Sequence, residues 1–444
     1  MKKKILMLLV AATLYNLKPA MAQKPAYEMM VEGVKVIVQP SGNGIVDIQT
    51  AIKGGVQNYP ADKQGIESLT MNCLTECGTT KHDKNTFKNM LDKVSAQVYS
   101  STYKDYSVLS MNCIKTDFDT VWPLYVEALK DPAFDPKEFA RVKQDAITAL
   151  QANESQPDAS INTYANKVAF AGRDYAKNPN GTAEIMKTLT LEDVKNYYKS
   201  VFLKSRLTIV IVADLDKSEI ESKVKALLTG VKAGSPYQLK KSFFRVYKNT
   251  FASEPKELAT NYIVGITSGP EPGTPDYDAF LVAMRIFYDR HFLEVRTNNG
   301  LSYAPGATFN NGSLSYAKFT VSTTQPDKYI SVFDQLVDKV KHQGFTNDEV
   351  KNMKATYLTS FYYKQETNGA QASSMLSNEV IHNNWKRSLT LADDVKKLTT
   401  NQVSDAFRKY IGNIVWVYQG DTKKVNPLLY TNGTLNKADN PVSH

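Results

Sequence analysis

A chain of 444 residues, 42% hydrophobic and 22% charged with 22 Gly and 18 Pro, has ordinary globular composition and room for more than one core. Three cysteines exclude a disulfide scaffold, and the confinement of the only long apolar run to the N-terminus excludes a polytopic membrane protein. The formal charge of +9 includes four lysines within the first 22 residues, and no Lys/Arg stripe interleaved with aromatics follows, so no nucleic-acid partner is expected.

Residues 1–22 read as a signal peptide. Lys2, Lys3 and Lys4 form a positive start, Ile5 to Leu14 an apolar core, and Ala20-Met21-Ala22 a cleavage site. That core is too short to span a bilayer. Export is expected, most simply to a periplasm, with no transmembrane span after cleavage. A first unit, 27–229, is expected to be α+β. Val34 to Val38 and Ile45 to Ile52 are β-branched strands joined by a Ser-Gly-Asn-Gly turn at Ser41 to Gly44, the pattern of a hairpin. A helix follows over about 65–76, a strand pair over 96–114, and helices over 120–130 and 136–153. Asp135-Pro136 and Thr190-Leu-Glu192-Asp193 are helix starts. Gly230 to Lys241 lacks periodicity, so residues 230–243 are expected to link to a second unit, 244–440.

The second unit is expected because the sequence repeats. Trp122, Tyr125, Val126 and Leu129, then Phe134-Asp-Pro-Lys-Glu138 and Lys143, are matched 211 positions on by Phe333, Leu336, Val337 and Val340, then Phe345-Thr-Asn-Asp-Glu349 and Lys354. Leu189-Thr190, Val194, Tyr198 and Val201 recur 209 positions on as Leu398-Thr399, Val403, Phe407 and Tyr410, each followed by a strand-like run. The fold expected is a tandem duplication of two α+β units of about 200 residues. Each unit is expected to be a mainly antiparallel sheet packed with helices.

Local catalytic motifs are missing. The five histidines, His82, His291, His342, His382 and His444, lie too far apart in sequence for H-x-x-E-H or H-E-x-x-H, and there is no G-x-S-x-G elbow or Walker loop. His82 reads as a loop residue. Cys73 and Cys77 share one helix face, with two readings: a redox or soft-metal pair, or small apolar residues beside Leu69 and Leu74. The second is favoured, because no further ligand is near.

Several segments together resemble the pitrilysin/insulinase family of zinc peptidases, in particular the two-unit subunits related to mitochondrial processing peptidase. They are Lys53-Gly-Gly55, Gly65-Ile-Glu-Ser-Leu-Thr-Met-Asn-Cys-Leu-Thr-Glu-Cys-Gly78-Thr79, Gly181-Thr-x-Glu184, the strand end at Asp214-Leu-Asp216, Asp276-Tyr277, and Arg296-Thr-Asn-Asn-Gly300-Leu-Ser-Tyr303. Active members carry H-x-x-E-H on the helix after the first glycine, with a third zinc ligand, a Glu, on a later helix. Here the histidine positions hold Ser68 and Asn72, the Glu position holds Met71, and the third ligand falls near Ala149. Ser and Asn are poor zinc ligands and a thioether takes no proton from water, so the resemblance implies no metal on this chain. It implies instead that the two units form half of a clam-shell in which Arg296 and Tyr303 reach substrate bound at a partner's zinc. The alternative is a surface pair of Arg296 with Glu294 and a half-buried Tyr303 on a strand. Tyr288-Asp-Arg-His-Phe292 replaces the family's glycine-rich stretch. The resemblance thus implies a catalytically silent subunit acting on peptide or unfolded polypeptide with a zinc-bearing homologous partner; the other reading is a purely structural or peptide-holding relative.

Overall fold

The computed structural model describes residues 25–432, so the expected signal peptide, 1–22, and the last residues of the expected second unit lie outside the described residues. The first unit runs β1 (Tyr27–Val31), β2 (Val34–Pro40), β3 (Ile45–Lys53), α1 (Ile66–Glu76), α2 (Lys84–Asp92), β4 (Gln97–Thr102), β5 (Tyr106–Ile114), α3 (Phe118–Lys130), α4 (Pro136–Glu154), α5 (Pro157–Ala169), α6 (Ala183–Thr188), α7 (Leu191–Val201), β6 (Leu207–Ala213) and α8 (Lys217–Leu228). The second runs β7 (Thr250–Pro255), β8 (Asn261–Ser268), α9 (Asp276–Phe292), β9 (Gly306–Asn311), β10 (Ser315–Thr323), α10 (Pro326–Gln343), α11 (Asn347–Tyr363), α12 (Asn368–His382), α13 (Arg387–Lys397), α14 (Thr400–Tyr410), β11 (Val415–Gly420) and α15 (Pro427–Thr431).

The sheets are ordered β1-β2-β6-β3-β5-β4 and β7-β11-β8-β10-β9. Apart from β1, each strand of the first has a counterpart in the same place in the second, so the sequence repeat is a structural one. All pairings are antiparallel except β2 with β6 and β7 with β11. The hairpin expected at Ser41 to Gly44 does not form. β6 enters between β2 and β3, parallel to one and antiparallel to the other. Central, two-sided burial outcompetes the local turn: every residue of Leu207–Ala213 is buried, which suits only a strand covered on both faces.

The helix covering the far face comes from the other unit. Leu207, Ile209 and Ile211 point into the first core, whereas Val210 and Val212 join Ile37, Ala51 and Val108 beneath α12, against Ala372, Met375 and Leu376. α12 starts where its Asn368 amide donates to the carbonyls of Ile45 (2.7 Å) and Val212 (3.2 Å). Gly369 lies so close to β3 that a Cβ there would sit 3.0 Å from the Asp47 carboxylate. The exchange is mutual. α5 of the first unit lies across β8 and β11, its Asn162 carbonyl accepting from Lys318 (3.1 Å), and Phe170 at its end packs on Tyr316 at 4.8 Å. Residues 230–243 run between the units, and there Tyr237 stacks under Arg206 (4.0 Å) while Lys240 exchanges two hydrogen bonds with Gln57 (2.7 and 3.0 Å).

The repeated lysines have a common task. Lys143 on α4 donates to the carbonyls of Lys187 and Leu189 (both 2.7 Å), and Lys354 on α11 to those of Lys396 (2.8 Å) and Leu398 (2.5 Å). Each ammonium satisfies carbonyls at the end of the helix before the next capped one, where a cation is also favoured by the helix dipole.

Candidate functional site

α1 begins at a close approach of two glycines. Gly65 (φ 93°) and Gly181 (φ 81°) are both left-handed, and a Cβ on either would sit 2.8 Å from the Asn180 carbonyl or 2.7 Å from that of Gln64. This packing ties the start of α1 to the segment before α6 and accounts for glycine at both positions.

Along α1, Ser68 and Asn72 are half-buried, and Met71 is 1% exposed in the first core. The Asn72 carbonyl oxygen accepts from the Ser100 hydroxyl on β4 (3.3 Å). Ala149 is exposed on α4, which packs on α1; nearby Asp145 is held by Arg141 (2.8 Å), and Glu154 accepts from the Ala183 amide (3.1 Å). Two of these four positions offer an oxygen, one already engaged, and the other two a buried thioether and a methyl group. This donor set does not fit zinc. Among the described residues no group of three or more His, Cys, Asp or Glu could hold a metal ion.

The carboxylate buried on α1 is one that sequence reading missed. Glu67 is 1% exposed, Tyr197 donates to it at 2.5 Å, and burial pushes its carboxyl up from the ordinary range. Nothing in the local sequence marks it, because Tyr197 is 130 residues away. His82 is a loop residue whose Nδ1 lies 2.8 Å from Glu127. Burial would raise that carboxyl, but hydrogen bonds from His82, Lys81 and Thr79 hold it below its usual value. Cys73, Cys77 and Cys113 are free thiols buried in the first core; Cys77 beside it and burial push the Cys73 thiol up.

On the second unit, α9 continues into a π-helical turn, Leu293–Asn298, anchored by the buried Val295, whose carbonyl accepts from the Leu301 amide at 2.8 Å. Tyr288 to Phe292, expected in place of a glycine-rich stretch, is the last turn of α9. The π turn reverses the chain through Gly300 (φ 61°) and brings Tyr303 back under Arg296, 4.0 Å from guanidinium to ring, with Phe292 on the same guanidinium at 5.0 Å. Glu294 does not pair with Arg296. Its carboxylate accepts from the Asn298 and Asn299 side-chain amides (2.9 and 3.0 Å). Tyr303 is 78% exposed in a loop rather than half-buried on a strand. Among the described residues, no hydrogen bond, ion pair or ring contact joins this pair to Ser68, Met71, Asn72 or Ala149. The arrangement offers a cation held by rings, with its N–H groups available, beside an accessible phenol.

Known proteins share this architecture. The family model for insulinase (peptidase family M16) matches residues 35–197, and that for the peptidase M16 inactive domain matches 188–357. The non-peptidase homolog YmxG of Helicobacter pylori is 22% identical over 395 residues, 85% of this chain and 89% of that protein. Cytochrome b-c1 complex subunit 2 of Yarrowia lipolytica is 26% identical over 191 residues, 42% of this chain and 44% of that one. The crystal structure of a peptidase M16 inactive domain from Pseudomonas fluorescens superposes with a TM-score of 0.80 at 18% identity, covering 91% of this chain and 99% of that chain. With two M16 models that together match residues 35–357, this chain belongs to the insulinase family, peptidase family M16.

Proposed function

We propose that this protein is an exported, catalytically silent member of the family that acts with a zinc-bearing homologous subunit on peptide or unfolded polypeptide. It carries no cofactor of its own; zinc belongs to the partner. The observation that carries the reading is the Arg296–Tyr303 pair, stacked at 4.0 Å and, among the described residues, paired with no carboxylate, while the α1 positions offer no usable ligand set. Arg296 would hold main-chain carbonyls of an extended substrate, and Tyr303 would donate to oxygen that gains charge in the reaction. The relative named a non-peptidase homolog supports silence. Periplasmic residence rests on the signal sequence alone.

The test is co-expression with a neighbouring homologue that has an intact H-x-x-E-H. The pair should cleave extended peptides in a chelator-sensitive way that this chain alone does not. Tyr303→Phe should lower the rate about 100-fold without dissociating the pair, and Arg296→Ala should raise KM. Wild-type rates from both variants would sink the proposal. The similarity to a subunit of the cytochrome b-c1 complex favours one other reading, a structural subunit with no part in proteolysis, and the same wild-type rates would support it.

A further inference from the structure

The second unit contains an open cavity of about 650 Å³ between α9, β9 and α11. The α11 residues that line it, Glu349, Asn352, Met353 and Thr356, stand 211 positions after Glu138, Arg141, Val142 and Asp145 on α4. In the first unit that place holds a network of charge pairs. Arg141 donates to Glu138 (2.7 Å) and Asp145 (2.8 Å) and lies 3.5 Å from Glu76, which also holds Lys88 of α2 at 2.6 Å. The second unit has the π turn where the first has α2, and Asn352 in place of Arg141, so the pairs made by Arg141 have no counterpart there.

Three walls of the cavity are apolar, formed by Met284, Phe309 and Met353. Two charges of opposite sign, Arg285 and Asp289, sit one turn apart on α9. Among the described residues neither makes an ion pair, although i,i+4 spacing would allow one. The buried Nε of Arg285 has no hydrogen-bond partner, and its guanidinium lies 4.9 Å over the Tyr357 ring. Glu349 is occupied, accepting from Nε and Nη2 of Arg290 at 2.6 and 2.7 Å. Partial desolvation at the cavity rim and the Glu349 charge push the Asp289 carboxyl up, so a cation placed beside it would be favoured. A cavity of this size, with apolar walls and few convergent polar groups, has the form of a small-molecule site.

We propose that this cavity binds a small zwitterion with an apolar body, a free aromatic or branched amino acid or a dipeptide of such residues. Its carboxylate pairs with Arg285, its ammonium with Asp289, and its side chain lies among Met284, Phe309 and Met353. A simple anion would leave Asp289 unanswered, and a simple cation would leave Arg285 so. The site is independent of any role of Arg296 and Tyr303.

Calorimetric titration of the whole mature chain tests this with phenylalanine and leucyl-phenylalanine against N-acetylphenylalanine, phenylalaninamide and N-acetylphenylalaninamide. The zwitterions should bind at least about tenfold more tightly than any capped form, one charge-assisted contact being lost with each cap. Asp289→Asn, at an exposed position that leaves the fold intact, should erase the preference over N-acetylphenylalanine. Arg285→Met should erase the preference over phenylalaninamide. No heat from either zwitterion up to about 10 mM, or equal binding of a capped form, would overturn the proposal.

Discussion

Exchange of α5 and α12 between the units makes a specific demand on stability. Leu376 is 1% exposed on α12, yet its neighbours Val210, Val212 and Ile37 belong to the first unit's sheet. Leu376→Ala should cost about 3 kcal/mol, the transfer of the lost methyl groups plus the cavity left behind. If the units were separately stable, that loss would fall on the second alone. If the exchanged helices couple them, β6 and β11 should lose protection together. Native-state hydrogen exchange reads this directly: amides of Leu207–Ala213 and Val415–Gly420 should fall by the same free energy, and urea unfolding should remain a single transition. Ile161→Ala, 2% exposed on α5, should produce the mirror result. The separated first unit, 27–229, should not persist as a soluble folded monomer, because Ile37, Ala51, Val108, Val210 and Val212 would face water. Two transitions in urea, with β6 protection unchanged by Leu376→Ala, would refute the coupling.

Other outcomes follow from single side chains. Lys143→Met and Lys354→Met should each cost about 1–2 kcal/mol in urea melts through unsatisfied carbonyls, and the two should add because they share no partner. Met71→Glu should cost about 2–4 kcal/mol by placing an acid in the core. Ser68→His and Asn72→His, on the half-buried face, should cost less than about 1 kcal/mol. Burial holds His291 at about 3, well below its unfolded value, so the unfolded chain binds a proton that the native one refuses. Its contribution to stability is complete above about pH 6.5 and falls as the pH drops toward 3, by about 2 kcal/mol at pH 5. Acid melts should show this, and His291→Gln should flatten the slope in that window.

What was legible in the sequence is what repeats locally. The α4 and α11 starts, the lysines that follow them and the strands after α7 and α14 could be matched because each is set by residues within one or two turns. Strand order was not legible. Ser41 to Gly44 looks like a hairpin turn, and only the depth of burial of β6, a property of the assembled sheet, decides that a third strand enters there. Nor could the helix exchange be read, since an amphipathic helix shows an apolar face without saying which sheet it covers. The Arg296–Tyr303 spacing was visible, but Glu294 was an equally good partner on paper. The π turn settles the matter by giving Glu294 two asparagine amides and Arg296 two rings.

α1 shows which positions the backbone fixes and which it leaves free. Gly65 and Gly181 are locked by backbone contact, where any side chain must displace a carbonyl, so the start of α1 cannot drift. Ser68 and Asn72 lie on a half-buried face where an exchange of side chain disturbs little packing, and a methionine at position 71 gains the core instead of polar chemistry. On α1 the backbone contacts are thus harder to change than the side chains of the half-buried face. In the second unit the asymmetry runs the other way. There Asn352 stands where the first unit has Arg141, and a π turn where the first has α2, beside a cavity whose Arg285 and Asp289 make no ion pair among the described residues. Duplication supplied two copies of one scaffold; the differences between them lie where a side chain, rather than the backbone, set the chemistry.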